Sequence, residues 1–338
     1  MSEQDPKRKP SVKSLAKATG FSVATISRVL NGSDTVAQGT RERVLEAMRK
    51  AGYLPNSAAR ALATNRTKTI GAVVPIVSQS IFSRFLDSLE VELAAHGYVL
   101  VIATTGFDPA IETQRATELL TMGAEGLIFS GAKQQPELLE LIKNTGTPAI
   151  CSSIHKSTNG LPAIGYDNEA LAYSAIQYLA QLGHSKIGIV HGPIENNDRT
   201  ELRITGVEKA VMDFKIDASY YPTELSVQGG VNVARQLFQK PLNISSILCL
   251  SDILALGMMF ESIAKGIQIP RDISLMGFDN LDWANLCHPT LTTTRLPTKR
   301  MGQEIALSLV NKLDKQQAIT SMLLDAELLE RQSTAACK

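Results

Sequence analysis

The chain is short of several things, and each shortage narrows its function. Aromatic residues make up only 5% of it, a low share for a chain whose charged and apolar fractions are otherwise ordinary for a globular protein. Its four cysteines, Cys151, Cys249, Cys287 and Cys337, show no CxxC spacing. That argues against both a disulfide framework and a zinc site. Three of them lie in or near apolar runs, where cysteine serves as a small core residue. No apolar run approaches the roughly 18 residues that cross a bilayer. The opening stretch MSEQDPKRKPSV is polar, with no apolar segment of the secretory kind. The expectation is a soluble, cytoplasmic protein with no membrane partner. Catalytic signatures are missing too: no GxxxxGK[ST], HExxH, GxSxG or GxGxxG stands in a usable context. The five histidines are scattered. His191 and His288 are candidates to line a cleft, but no carboxylate or nucleophile is paired with them by sequence. The expectation is therefore no enzyme, no metal and no cofactor.

What is present is uneven in charge. The chain has 338 residues, enough for two or three domains and a large core. Its net charge of +1 hides a split: the first 68 residues carry thirteen Lys and Arg against five Asp and Glu. That leaves the segment near +8 and the remainder near −7. A basic end on an acidic body suggests a polyanionic partner, provided the basic end folds. Its pattern predicts that it does. Ser11 can cap a helix that buries Val12, Leu15 and Ala16, and Gly20 can end it. Phe21 fills the corner. Ser22 can cap a second helix with Val23, Ile26, Val29 and Leu30 at helical spacing, stopped by Asn31-Gly32. A third helix is expected from about Thr40 to Ala51, with Val44, Leu45 and Met48 inward, ended by Gly52. Three short helices around a small core, the second exposed, make a DNA-reading geometry.

VATISRVLNG, followed by TRERVLEAMRKAGYLPNSAARAL, resembles the DNA-binding headpiece of the LacI/GalR family of bacterial transcription regulators. The similarity continues to about residue 333. It implies a sequence-specific transcriptional regulator, a repressor in the expected sense, acting as a homodimer on double-stranded operator DNA under a small-molecule effector. By the family's pattern, Val23, Ala24 and Arg28 read bases: the first two by apolar contact, Arg28 by a bidentate contact to guanine. Ser22, Thr25, Ser27, Asn31 and Thr40 suit phosphate oxygens, which position without specifying. In LPNSAARALATNRTKT, Leu62 matches the family's minor-groove wedge, flanked by Ala59 and Ala63. Such a short helix is marginal alone and would form when docked. Ala37 stands where many relatives place a capping Ser, so the third helix is expected to fray at its start.

From Thr69 onward, Val/Ile-rich runs alternate with amphipathic helical patterns. The strands read TIGAVVPI, YVLVIAT, GLIFSG, PAICSS, KIGIVHGP, SSILCLS and ISLMGFD, with helices such as Phe82 to His96 and Asn168 to Leu182 between them. That alternation means parallel sheets covered on both faces, and the series starts twice, near Thr69 and near Lys186. The expected architecture is an all-α helix-turn-helix headpiece (1–52), a hinge helix and linker (53–68), and an α/β effector-binding and dimerisation core (69–338). The core is expected to form two doubly wound parallel-sheet lobes, about 69–165 plus 294–317 and about 166–293 plus 318–333. The family's core has this form, similar to periplasmic sugar-binding proteins.

In open α/β sheets ligands bind beyond the carboxyl ends of the strands, which singles out polar residues there. The resemblance assigns Arg203, at an R-x-x-G position, to the effector's hydroxyls or carboxylate, and Asp279 to vicinal hydroxyls. Ser251 ends SSILCLS where relatives often carry Asn, with Asp252 after it. Ser153 ends PAICSS. Gln79, Ser80 and Phe82 stand where many relatives read N-P-F-F, and Leu225 replaces an aromatic that stacks on the ligand in some relatives. SQSIFSRF and GFDPAIETQRATELL look closest to gluconate-type repressors. The expected effector is a sugar or sugar acid, the acid slightly preferred. A sugar-binding protein or a sugar-metabolising enzyme with the same α/β core is the alternative.

Overall fold

The computed structural model describes residues 10–30, 35–54, 61–62, 64–77, 80–239 and 242–337. Asn31, Ala59, Ala63 and Gln79, and the side chain of Ser80, lie outside the described set. The chain divides into two compact units, the division falling between Thr67 and Lys68.

The first unit holds α1 (Val12–Thr19), α2 (Val23–Leu30) and α3 (Gln38–Ala51). Ser11 and Ser14 cap α1 reciprocally, and Gly20 ends it in the left-handed conformation. Ser22 Oγ accepts from the Thr25 amide at 3.1 Å, which starts α2. Leu15, Ile26, Val29 and Val44 form the buried core. Two expectations change here. The third helix begins at Gln38, with no side-chain cap from Ala37. Leu45 is 43% exposed, because the inward stripe of α3 runs through Val44, Ala47 and Met48 and leaves Leu45 at its edge.

The second unit contains two parallel sheets. The first is built from β1 (Thr69–Val74), β2 (Val99–Thr104), β3 (Gly126–Ser130), β4 (Ala149–Ser152), β5 (Ala163–Gly165) and β11 (Met322–Leu323), in the order β11-β5-β4-β3-β1-β2. α4 (Ser80–Ala95) and α11 (Thr298–Lys315) pack together on one face. α5 (Pro109–Thr121) and α6 (Pro136–Thr145) cover the other. The second sheet is β7-β6-β8-β9, from β6 (Lys186–His191), β7 (Asp217–Pro222), β8 (Ser246–Cys249) and β9 (Ser274–Met276). One helix pair on it is α7 (Asn168–Gln181) with α8 (Asp198–Phe214); the other is α9 (Val227–Leu237) with α10 (Asp252–Lys265).

The chain passes between the lobes near residues 165–168 and again on both strands of an antiparallel ribbon, β10 (Thr293–Arg295) with β12 (Glu327–Leu329). Both central strands, β1 and β6, are almost wholly buried, as their unbroken apolar runs require. One lobe boundary differs from expectation: β11 pairs with β5, so residues 322–323 complete the first sheet rather than belonging to the second lobe. Residues after β12 do return to the second lobe. There Ser333 exchanges hydrogen bonds with Leu275, its carbonyl accepting from the Leu275 amide at 2.8 Å. His184 Nε2 lies 3.0 Å from the Ala335 carbonyl.

Candidate DNA-reading face and effector cleft

On the headpiece, α2 divides cleanly. Ile26 and Val29 point into the core, while Val23 (47% exposed), Ala24, Ser27 and Arg28 lie on the outer side. Val23 is thus not part of the core. Ser22 Oγ and Thr25 Oγ1 sit 2.9 Å apart at the amino end of that helix, and Thr40 is half-buried near the start of α3. One helix therefore presents a small apolar patch and a guanidinium on its free face, with hydroxyls at its amino end. Leu62 is 88% exposed.

In the core, a cleft lies beyond the carboxyl ends of both sheets. Among the expected residues, Phe82, Ser153, Arg203, Ser251 and Asp279 line it together, and so does Leu225. His191 does not line it; it is buried, Nδ1 lying 2.8 Å from the Gly192 carbonyl oxygen, with its ring edge-on to Tyr220. His288 does not line it either. The walls differ in character. The first lobe supplies mainly apolar groups, Ile81, Phe82, Phe85, Phe107, Tyr166 and Met301, with Ser153 and Thr298; the second supplies mainly polar ones, Asn197, Arg199, Thr200, Arg203, Ser251 and Asp279, with Leu225 and Leu250.

The second lobe's polar groups are held in place by the protein. Arg203 is buried; its Nε donates to Asn168 Oδ1 at 2.9 Å and its Nη1 to the Leu250 carbonyl at 2.7 Å. Its guanidinium stacks on Phe278, 4.1 Å from the ring centre, and lies 3.8 Å from Asp279 Oδ1. Asp279 Oδ2 accepts from Ser251 Oγ at 2.7 Å. Burial raises the Asp279 carboxyl above the usual carboxylate range, against the pull of Arg203. Its backbone stands at φ 134°, with Asn280 at 54° and Ser153 at 66°. These are conformations that L residues hold only where the surroundings over-determine them.

Sequence reasoning missed Arg199, Asn197, Phe107 and Tyr166. A signal for the first existed: Arg199 precedes Arg203 by four residues, which places both on one face of α8. Arg199 also clasps the lobes. Its Nη1 donates to the Ser130 carbonyl at 2.6 Å and to Asp198 Oδ1 at 2.9 Å, and Asp198 Oδ2 accepts from the Ala132 amide at 2.7 Å. Lys133 of the first lobe adds an exposed ion pair to Glu201 of the second, at 2.5 Å. Behind this clasp a smaller cavity holds Glu112, whose carboxyl burial pushes up to about 7. On the opposite edge Arg84 of α4 donates to the Asn280 carbonyl at 2.6 Å and pairs with Asp282.

A DNA-reading helical unit joined to a two-lobed, cleft-bearing core is the arrangement of a ligand-controlled DNA-binding regulator. Comparison with known proteins gives the family. Residues 11–56 match the bacterial regulatory proteins of the lacI family, and residues 67–331 match the periplasmic binding proteins and sugar binding domain of LacI family. The chain belongs to the LacI family and is a DNA-binding transcriptional repressor controlled by a small-molecule effector. It is 30% identical over 329 residues to the HTH-type transcriptional repressor CytR of Escherichia coli K12, covering 96% of both chains. Its fold matches the lac repressor dimer bound to operator and an anti-inducer, with a TM-score of 0.84 and 23% identity over 97% of this chain and 100% of that one. A LacI family regulator from Enterococcus faecium with bound ribose matches at TM-score 0.72 and 27% identity, over 80% of this chain and all of that one. The transcription regulator GntR from Chromobacterium violaceum matches at 22% identity and TM-score 0.73, over 79% of this chain and 99% of that one. That likeness shows the fold alone.

Proposed function

We propose that the protein is a cytoplasmic homodimer that represses transcription until the occupant of its interlobe cleft changes, and that it catalyses no reaction. α2 enters the major groove, with Val23 and Ala24 against thymine methyls and Arg28 on guanine. Ser22, Thr25, Ser27, Asn31 and Thr40 take phosphates. Leu62, between Ala59 and Ala63, wedges the minor groove. The effector sits among Phe82, Ser153, Arg203, Ser251 and Asp279, with Gln79 and Ser80 as further contacts. Its binding alters the lobe orientation and so the docking of the linker, a coupling of about 1–3 kcal/mol.

The observation that carries the effector's class is the pairing of charges in the cleft. Arg203 lies against Asp279, and Arg199 against Asp198. Neither cation is left as a bare counter-charge for an acid, while hydroxyl acceptors and donors are plentiful. We therefore favour a neutral sugar over the sugar acid, its hydroxyls on the second lobe and its apolar face on Phe82 and Phe107. Calorimetric titration of the full chain with D-ribose, D-glucose, cellobiose and D-gluconate tests this. Binding of a neutral sugar that weakens operator affinity is expected, with Asp279→Asn abolishing it. Binding of D-gluconate alone would reverse the choice.

A further inference from the structure

Asp252 stands one residue beyond the cleft. It opens α10, is fully buried, and does not line the cavity. Its side chain is nevertheless committed on both oxygens. Oδ2 accepts from the Leu281 amide and Oδ1 from Thr293 Oγ1, each at 2.7 Å. Its own amide donates to the Phe278 carbonyl at 2.8 Å. Asp252 thus grips both ends of the short turn carrying Asp279 and Asn280, the two consecutive non-glycine residues at positive φ. The neighbouring backbone makes room for it: a Cβ on Gly277 would fall 2.1 Å from Asp252 Oδ1.

The same turn is anchored to the crossover ribbon. The Asp279 amide donates to the Thr294 carbonyl at 2.9 Å, the Asn280 amide to Thr293 Oγ1 at 3.2 Å, and Arg331 Nη2 to Asn280 Oδ1 at 2.7 Å. Thr293 Oγ1 therefore joins Asp252 and Asn280 through one hydroxyl, donating to the first and accepting from the second. An amide, a hydroxyl and a strained turn meet at one buried carboxylate. An apolar residue in its place would leave the Leu281 amide without its acceptor.

We propose that Asp252 is a positioning residue for the effector site: it holds the turn that aims Asp279 into the cleft, and through Thr293 it ties that aim to the crossover strand β10. This rests on the reading that Asp279 binds the effector. Burial and the nearby Asp279 carboxylate push the Asp252 carboxyl up to about 7. The charged groups around it are Asp279 and, beyond the turn, Arg203, Arg84, Asp282 and Arg331, with the Cys249 and Cys287 thiols on the side of the second-lobe core.

The chain carries its own reporter, since its single tryptophan, Trp283, sits in the 3-10 turn Asp282–Asn285 just after Leu281. Hydrogen exchange of the 277–283 segment and Trp283 emission are measured on the full chain for Asp252→Ala, Asp252→Asn, Thr293→Val and Asp279→Asn. Asp252→Asn keeps an acceptor for the Leu281 amide and turns its NH2 toward Thr293 Oγ1, which can accept in place of donating, so it should exchange within about threefold of wild type. Asp252→Ala should exchange at least tenfold faster there and shift Trp283 emission, with the β1 segment 69–74 unchanged. Thr293→Val, which is nearly isosteric, should fall between and remains decisive if Asp252→Ala does not fold. Trp283 emission should titrate near neutral pH in wild type and not in Asp252→Asn. Protection retained in Asp252→Ala or Thr293→Val, or lost equally in Asp252→Asn, overturns the proposal. Asp279→Asn titrated with D-ribose and D-glucose tests the underlying reading separately: sugar binding unaffected by that change would sink the reading while the exchange data still decide the role of Asp252.

Discussion

Gly131 sits under the interlobe clasp, and replacing it by alanine should open the cleft. Its φ is +86°, and a Cβ there would lie 2.2 Å from Arg199 Nη1 and 2.3 Å from Asp198 Oδ1. Those atoms are the ends of side chains, but they are pinned to Ser130, Ala132 and each other, so they cannot yield without giving up the clasp. The left-handed backbone costs an L residue about 1–2 kcal/mol. Each lost hydrogen bond to a charged group costs about 1.5–3 kcal/mol, offset in part by solvation of groups released at the cleft mouth. A net loss of about 3–5 kcal/mol follows from these two contributions. With a urea slope of about 3 kcal/mol per molar, the unfolding midpoint should drop by about 1–1.7 M. Arg199→Ala removes the same clasp from the other side. If the reasoning holds, Gly131→Ala adds only its backbone strain and its contact with Asp198 once Arg199 is gone, leaving a coupling of at least about 1 kcal/mol in the double-mutant cycle. Strictly additive losses would show that Gly131 and Arg199 act independently and would refute the account.

Three further outcomes are expected. Arg28→Ala should cost about 1–3 kcal/mol on the preferred operator and relax preference at one base pair; an equal loss on all sequences in fluorescence anisotropy would make Arg28 a phosphate contact. Leu62→Ala should reduce operator bending in a circular-permutation assay while leaving effector binding intact, and unchanged bending removes the wedge. Burial lowers the His184 imidazole below its usual value. Its neutral form is therefore favoured in the folded state, and stability should fall as pH drops below about 6.5, the ordinary histidine value. His184→Asn should flatten the melting temperature between pH 7 and pH 5, and an unchanged slope would assign the acid sensitivity elsewhere.

Much of this was legible from residue patterns, for physical reasons that also explain the gaps. The headpiece could be read because Ser11, Gly20, Ser22 and Gly52 mark helix ends with distinct chemistry, and because a 3.6-residue period decides which face is buried. The central strands could be read because parallel strands covered on both sides must be apolar without interruption. β7 escaped because it is an edge strand: DASYYP has no buried residue and ends in proline. β10, β11 and β12 escaped because two or three residues carry no period. In the cleft, Asp279 follows shortly after a strand end and Arg203 lies in the second turn of a helix, close to where linear reasoning looks. Phe107, at φ 69° in a loop, and Tyr166, just past β5, enter only through tertiary folding. The lobe boundary near residue 318 was misplaced because Met322–Leu323 has the composition of either lobe, and only the open edge of β5 decides its place.

The threading of the chain has a consequence for how it is made. The first sheet is finished by Met322–Leu323, and the outer side of the second sheet is closed by residues 333–335 against Leu275 and His184. The first lobe lacks its last strand, and the second its closing segment, until those residues have left the ribosome, although most of each lobe is synthesised long before. The headpiece needs nothing beyond its own helices for its core, so it can fold early, at the opposite end of translation. A nascent chain therefore acquires its DNA-reading surface well before it acquires a finished effector pocket. Interrupted synthesis would release a species able to contact DNA with no means of being controlled.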